Sequence, residues 1–340
     1  MNSYVESKII LPKDYEQKLD LINTERAIKF VKDNFEDMLA QNLNLERISA
    51  PLFVRPESGL NDNLNGVERP VSFDIKHMNK DVQIIHSLAK WKRYVLKKYG
   101  FEDGTGIYTD MNAIRRDELL DNLHSVYVDQ WDWEKVISNN DRNFDYLKNV
   151  VKRIVKSLYD TQTELCNEFK SLRPLISQDV FFITSQELED MYPNLSSKER
   201  ENEITRKYKT VFISQIGGKL KSGKPHDLRA PDYDDWQLNG DILVWYPILD
   251  CAVELSSMGI RVNKESLLKQ LEICNCSDRK SLEFHKMLIN DELPLTIGGG
   301  IGQSRICLIL LNKAHLGEVQ TSVWPEWMID ACEKNNIKIL

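Results

Sequence analysis

No run of apolar residues in the 340-residue chain approaches the ~18 that a membrane-crossing helix needs. The first thirteen residues also lack a basic stretch followed by an apolar core, so no secretory leader is expected. Cysteine is sparse. Of six, only Cys274 and Cys276 are close, and a C-x-C pair without further ligands is a poor zinc site. Reduced thiols in a cytoplasmic protein are the simpler expectation. The six histidines form no H-x-x-x-H pair and G-x-S-x-G is absent, so zinc proteolysis and serine hydrolysis have no support. An excess of positive charge is missing too. With 52 acidic against 45 basic residues the net charge is −7, which argues against a nucleic-acid partner and leaves room for a local phosphate pocket.

What remains is globular: 41% hydrophobic and 29% charged residues, with no repeat or low-complexity tract. Residues 1–23 read as an N-terminal extension and 24–340 as one domain. Helical spacing of Ile28, Val31, Phe35 and Met38 predicts a helix starting at Asn23-Thr24. An extended segment follows over 46–54, where Pro51 marks an edge or an interface. Residues 55–70 form a long polar loop of the kind that covers ligands. A short strand, 82–86, leads to a helix capped by Ser87. Strands over 106–115 and 125–133 make an antiparallel hairpin. An amphipathic helix spans 141–169. Beyond it come a strand at 180–184, two helices in 185–208, strands at 211–216, 242–246 and 252–262, and helices near 264–272 and 278–290. A glycine run, Gly298-Gly299-Gly300-Ile301-Gly302, opens a last helix over 303–311. Hairpin-linked strands with helices between them predict an α+β fold on an antiparallel sheet.

Several residue sets carry chemistry. On the second hairpin strand Val128, Gln130 and Asp132 share a face. A carboxylate beside an amide suits the ammonium group of an amino acid. On the first strand Thr109, Met111, Ala113 and Arg115 share a face. Arg115 could grip a phosphate bidentately, or simply pair with Asp117. Asp241 and Glu254 flank apolar strand runs and could hold Mg²⁺ on nucleotide phosphates, or lie on a solvent-facing strand face. Arg305 sits at a helix start, where the macrodipole disfavours a cation, so it calls for an anion such as ATP. The rival reading is a tight strand-to-helix turn. Two motifs are decoys. Gly218–Lys224 imitates a P-loop, but Pro225 stands where a magnesium-binding hydroxyl is required, and a charged hairpin tip fits better. Gly300-x-Gly302 is followed by Arg305 where a dinucleotide fingerprint needs glycine.

Taken together the sets resemble the catalytic core of class II aminoacyl-tRNA synthetases. The helix and strand ending at Pro51 look like motif 1, the hairpin with Arg115 and 124–134 like motif 2, and 298–305 with its helix like motif 3. The blocks Asp62-Asn63-Leu64, 86–92, 124–134, 229–236, 238–245, 254–261 and 298–305 are similar to one family in particular, the ammonia-dependent aspartate–ammonia ligases (asparagine synthetase type A). The N-terminus looks longer than expected for the family, and a single residue links Trp236 to Leu238 where some members carry an insertion.

The resemblance implies asparagine synthesis from L-aspartate, ATP and ammonia through a β-aspartyl-adenylate, in a cytoplasmic homodimer. It implies that Arg115 and Arg305 hold ATP phosphates and that Asp241 and Glu254 carry Mg²⁺. Gln130, Asp132 and Arg261 would fix aspartate, with Lys92 near the reacting carboxylate and Ser87 and Ser257 as further pocket residues. Asp62, otherwise a plain turn residue, would take a proton as ammonia attacks, so that Asp62, Arg115 and Gln130 form the catalytic set. The chain has no evident room for an anticodon-binding domain, and Asn at position 2 removes a glutaminase cysteine. Rival expectations are an aspartyl-adenylate-forming paralogue with another acceptor, a silent ATP- or tRNA-binding paralogue, and an α+β metabolic domain of other activity.

Overall fold

A computed structural model describes residues 9–62 and 68–340. In chain order its elements are α1 (Leu21–Leu43), β1 (Leu45–Arg47), β2 (Phe53–Val54), β3 (Ser72–Ile75), β4 (Lys80–Ile84), α2 (Ala89–Tyr99), β5 (Gly106–Ile114), β6 (Tyr127–Val136) and α3 (Phe144–Glu168). There follow β7 (Phe181–Thr184), α4 (Ser185–Met191), α5 (Ser197–Tyr208), β8 (Thr210–Ser214), β9 (Asp234–Tyr246), β10 (Cys251–Arg261), α6 (Lys264–Ile273), α7 (Glu283–Ile289), β11 (Thr296–Gly302), α8 (Gln303–Leu310) and α9 (Glu326–Lys334). Eight strands form one sheet in the order β1-β5-β6-β11-β10-β9-β8-β7, and β2-β4-β3 form a small second sheet.

The α+β expectation holds, with one correction to the sheet. Its six central strands are antiparallel, but β1 runs parallel to β5 and β7 parallel to β8. Both edge strands return through long connections rather than hairpins, and a parallel pair requires such a connection.

One sheet face carries Trp131, Trp133, Ile242, Val244, Met258 and Ile260, all buried, and packs under α1, α3 and α8 to form the main core. Helix α1 contributes Ala27, Val31, Phe35 and Leu39 at four-residue spacing, and Phe35 lies 4.7 Å from the Trp131 ring. The helix begins at Leu21 rather than at Asn23-Thr24. Asp20 is the true cap, its Oδ1 accepting from the Asn23 N–H at 2.8 Å. Helix α3 starts likewise on the Asn143 side chain, which accepts from Tyr146 N–H at 2.9 Å.

The opposite sheet face is covered only in part, by α2 over β5 and β6 and by α4 and α5 over β8 and β9. The gap between them is the site. Four local expectations need correcting. Strand β9 is thirteen residues long, the first part of it polar. Residues 278–290 split into a 3-10 turn and the short α7. The glycine run is itself strand β11. Helix α8 is followed by one more, α9. The 218–224 decoy is indeed a hairpin tip, closed by Leu220 N–H to the Lys224 carbonyl at 2.9 Å, with no helix after it.

Candidate active site

Strand register decides which side chains meet. Gln130, Asp132 and Glu134 on β6 lie opposite Gly302, Gly300 and Gly298 on β11. Those last two glycines lie opposite Ser257 and Gly259 on β10, and Ser257 lies opposite Asp241 on β9. All of these positions share the open face. Glu254 would point away by simple alternation from Ser257. The register shifts between Glu254 and Ser256, a β-bulge that places Glu254 opposite Leu243 and returns its side chain to the face of Asp241.

The glycines make the cross-strand chemistry possible. A Cβ on Gly300 would lie 2.6 Å from Gln130 Oε1, and one on Gly298 would lie 2.6 Å from Arg261 Nη2. Without side chains on β11, groups from β6 and β10 reach each other over it. Arg261, almost fully buried, makes a fork on Glu134, with Nη2–Oε2 at 2.7 Å and Nε–Oε1 at 3.0 Å. It also pairs with Asp234. Burial opposes the Arg261 charge, but the two carboxylates hold its pKa well above the ordinary value. Burial likewise opposes the Glu134 charge, yet Arg261 keeps it below the usual carboxylate value. Thr296 donates to Glu134 at 2.7 Å.

Gln130, Asp234, Arg261 and Gly300 line a cavity of about 460 Å³. Of the eleven nominated residues, Asp62, Ser87, Lys92, Arg115, Gln130, Asp132, Glu254, Ser257, Arg261 and Arg305 line it, and Asp241 alone stays behind the wall. Lys92 is buried on α2, ion-paired with Asp132 and donating to the Gly299 carbonyl at 2.9 Å. Burial pushes its pKa down. The second Asp132 oxygen is buried and accepts no hydrogen bond among the described residues, so it can take a donor from a ligand. Ser87 does not supply the cap residue itself, which is Leu88, but its hydroxyl accepts from Ala89 N–H at 3.1 Å. Asp62 is buried. Asn61 binds its N–H at 2.9 Å, and the His86 ring lies 3.2 Å from its carbonyl. Asn63 and Leu64, which carried part of the resemblance, lie outside the described residues.

The arginines are arranged for an anion. The pairing of Arg115 with Asp117 does not form. Asp117 instead binds Arg69, through its N–H at 2.9 Å and its guanidinium. Arg115 Nε is buried and donates to nothing among the described residues. Arg305, in the first turn of α8, donates to the Glu254 carbonyl at 2.9 Å. Asp241 is paired with Arg229, which also binds Asp227 at 2.7 Å. Burial, with the like charge of Glu254, pushes Asp241 up to about 7 against the attraction of Arg229.

No group of three or more metal-type ligands exists among the described residues. Asp241 and Glu254 still fit a magnesium ion that takes most of its ligands from phosphate and water. They share a face, and Asp241 Oδ1 is buried without a partner among the described residues.

Sequence reasoning missed Glu134, Arg229 and Asp234 as site residues, although each fell inside a recognised block. The available signal was parity. Glu134 shares the face of Asp132 and Gln130, two and four residues away, and a fully buried carboxylate needs a cation.

A family model described as Aspartate-ammonia ligase matches residues 22–336. The chain belongs to that family. An aspartate–ammonia ligase of Clostridium tetani is 59% identical over 334 residues, covering 98% of each chain. One of Lactobacillus johnsonii is 57% identical over 334 residues, covering 98% of this chain and 99% of its own. Among solved structures, asparaginyl-tRNA synthetase of Pyrococcus horikoshii complexed with asparaginyl-adenylate superposes with a TM-score of 0.64 at 13% identity, over 89% of this chain and 70% of that one. The Entamoeba histolytica asparaginyl-tRNA synthetase gives 0.60 at 12% identity, over 88% and 67%. At that identity the likeness concerns the fold, which is the class II synthetase-like one. Among the described residues, no helix is long and apolar enough to cross a membrane.

Proposed function

We propose that the chain makes asparagine from L-aspartate, ATP and ammonia, activating the β-carboxylate as an adenylate and releasing AMP and pyrophosphate. Beyond family membership, the reading is carried by the sorting of charge within one cavity. Asp132, Gln130 and Arg261 gather at the β6–β11–β10 crossing, and Arg115 and Arg305 line the same cavity from the end of β5 and the start of α8.

The free oxygen of Asp132 and the Gln130 amide take the substrate ammonium. Arg261, held rigid by Glu134 and Asp234, presents its remaining N–H groups to a carboxylate. Lys92 lies beside them, its charge tied to Asp132. Arg115 and Arg305 hold ATP phosphates and offset charge as the aspartate oxygen attacks phosphorus. Asp241 and Glu254 would hold Mg²⁺, which when bound neutralises phosphate charge. Arg229, now on Asp241, must then share or yield that carboxylate. AMP is a far better leaving group than oxide, so the activated carbonyl accepts ammonia. Asp62 takes the proton that the nitrogen sheds, and its loop keeps water from the adenylate. A cytoplasmic homodimer, dimerised as the motif 1 likeness implies and binding no nucleic acid, completes the reading.

The test is product analysis with aspartate, ATP, Mg²⁺ and ammonium, and with glutamine replacing ammonium in parallel. Asparagine with equimolar AMP and pyrophosphate from ammonium alone is expected. ADP in place of AMP rejects the adenylate route. Pyrophosphate exchange without asparagine points to another acceptor, and absence of ATP turnover to a silent binder.

A further inference from the structure

The segment before α1 is bolted to the connection that follows Arg115. Asn122, buried in that connection, accepts the Ile10 N–H through Oδ1 at 2.7 Å and returns Nδ2 to the Ile10 carbonyl at 2.8 Å. The same Nδ2 group donates to the Ala314 carbonyl at 2.8 Å, and the Asn122 carbonyl accepts from Leu316 N–H at 2.8 Å. Asn122 is therefore a joint of three chain segments with every polar group of its side chain used. A second bolt lies five to seven residues along, at Tyr15 and Gln17. Glu318, buried, accepts from Tyr15 Oη at 2.9 Å and Gln17 Nε2 at 2.9 Å, while its Oε2 caps Ala314 N–H at 2.8 Å and His315 N–H at 3.0 Å. Ile9 and Leu11 pack on the main core, as do Leu120 and Leu123 of the connection.

Both bolts hold walls of the cavity. Arg116, Leu123 and His124 of the connection line it, as do Leu316 and Gln320 of the segment that Glu318 staples. Arg115 itself is fixed at the root of the connection, through its N–H to the Val126 carbonyl at 2.8 Å. Nothing from residues 9–20 lines the cavity, so any effect of the strap is indirect.

We propose that residues 9–19 are a positioning strap for the ATP end of the site, acting through Asn122 as the positioning residue. The inference rests on the proposed placement of ATP phosphates at Arg115 and Arg305. A loop of twelve residues between two strands must be ordered before it can present Arg115 and Arg116 to a phosphate, and preordering lowers the cost of binding. The strap supplies that order, whereas the proposed aspartate contacts lie on β6, β10 and α2 and none of them bonds to Asn122 or Glu318.

The experiment measures the Kd of MgATP by calorimetry, and the KM values of ATP and aspartate by pyrophosphate exchange. The variants are Asn122→Ala and Ile10→Pro. The second removes one N–H donor at a half-exposed side chain and leaves Asn122 intact. About ten-fold weaker ATP binding in both, with aspartate KM changed less than about two-fold, is the expected result, the size being that of one lost buried hydrogen bond. Asn122→Asp, which keeps the acceptor for Ile10 but loses both donors, should fall between. Unchanged ATP affinity in a folded Ile10→Pro protein, or equal loss for ATP and aspartate, overturns the strap. The ATP Kd decides it even if the wild-type chain proves to form no adenylate, an outcome that would instead reject the proposed reaction.

Discussion

Gly298→Ala adds one methyl group where the structure leaves no room. The new Cβ would overlap Glu134 Oε2 and lie 2.6 Å from Arg261 Nη2, the two ends of a fully buried ion pair. Nothing about the backbone forbids alanine there, because Gly298 is not among the glycines of positive φ. The cost is that of parting the pair. Separating buried partners costs ~3–5 kcal/mol, since each charge loses its compensation away from water. At about 2.1 cal/mol/K per residue, unfolding this 340-residue chain carries an entropy of ~0.7 kcal/mol/K, so ~4 kcal/mol lowers the melting midpoint by about 6 °C. Function should suffer more than stability. Arg261 moves with the methyl, and a misplacement of about 1 Å costs on the order of 100-fold in catalysis. Calorimetric melting and pyrophosphate exchange measure the two effects. The control is Gly218→Ala, whose Cβ meets nothing within 4 Å and which should match the wild type in both. A Gly298→Ala protein with unchanged midpoint and unchanged aspartate KM would refute the account of the glycine strand.

Two further outcomes follow from His315 and Glu254. Burial pushes His315 down to about 4 from an ordinary 6.5, and its neutral ring accepts from Gly317 N–H at 3.0 Å. A histidine depressed in the folded state contributes stability above pH ~6.5 that is lost as pH falls toward 4, amounting to roughly 2 kcal/mol at pH 5. Urea midpoints at pH 7.5 and 5.0 should therefore differ more in the wild type than in His315→Gln, and equal differences would exclude His315 as the source. Glu254→Gln should raise the Mg²⁺ concentration for half-maximal pyrophosphate exchange at least about ten-fold, because one of the two carboxylates proposed to hold the ion is lost. An unchanged magnesium titration would remove Glu254 from the ion.

The hairpin, the long helices and the central strands were legible because their side-chain periods were clean: period two along β6, and four-residue spacing along α1 and α3. Where the reading slipped, a physical cause can be named. The glycine run gave no strand signal because strand propensity is a property of side chains packing on a pleat, and glycine has none. The parallel edges could not be seen, since pairing partners lie about 30 to 60 residues apart and only three to four residues long. Ten of the eleven nominated residues share one cavity, but two features of its wiring escaped. Whether Glu254 faces Asp241 turns on a single bulged residue, Leu255, and an unbroken alternation would have sent it into the core. Arg229 falls in a stretch with no periodicity at all, so its pairing with Asp241 is a purely tertiary fact.

The floor of the cavity along β11 is bare peptide, and this limits how the protein can be re-engineered. Widening a pocket for a longer acidic substrate normally starts by trimming a side chain. At Gly298 and Gly300 there is nothing to trim, and a Cβ there only runs into Glu134 and Arg261 or into Gln130, groups that must stay where they are. Backbone carbonyls such as that of Gly299, already bound by Lys92, are likewise beyond the reach of point mutation. A change of substrate length has to come from the walls, at Ser87 or Ser257, or from the loop that carries Asp62, with the depth of the site left as the strand sets it.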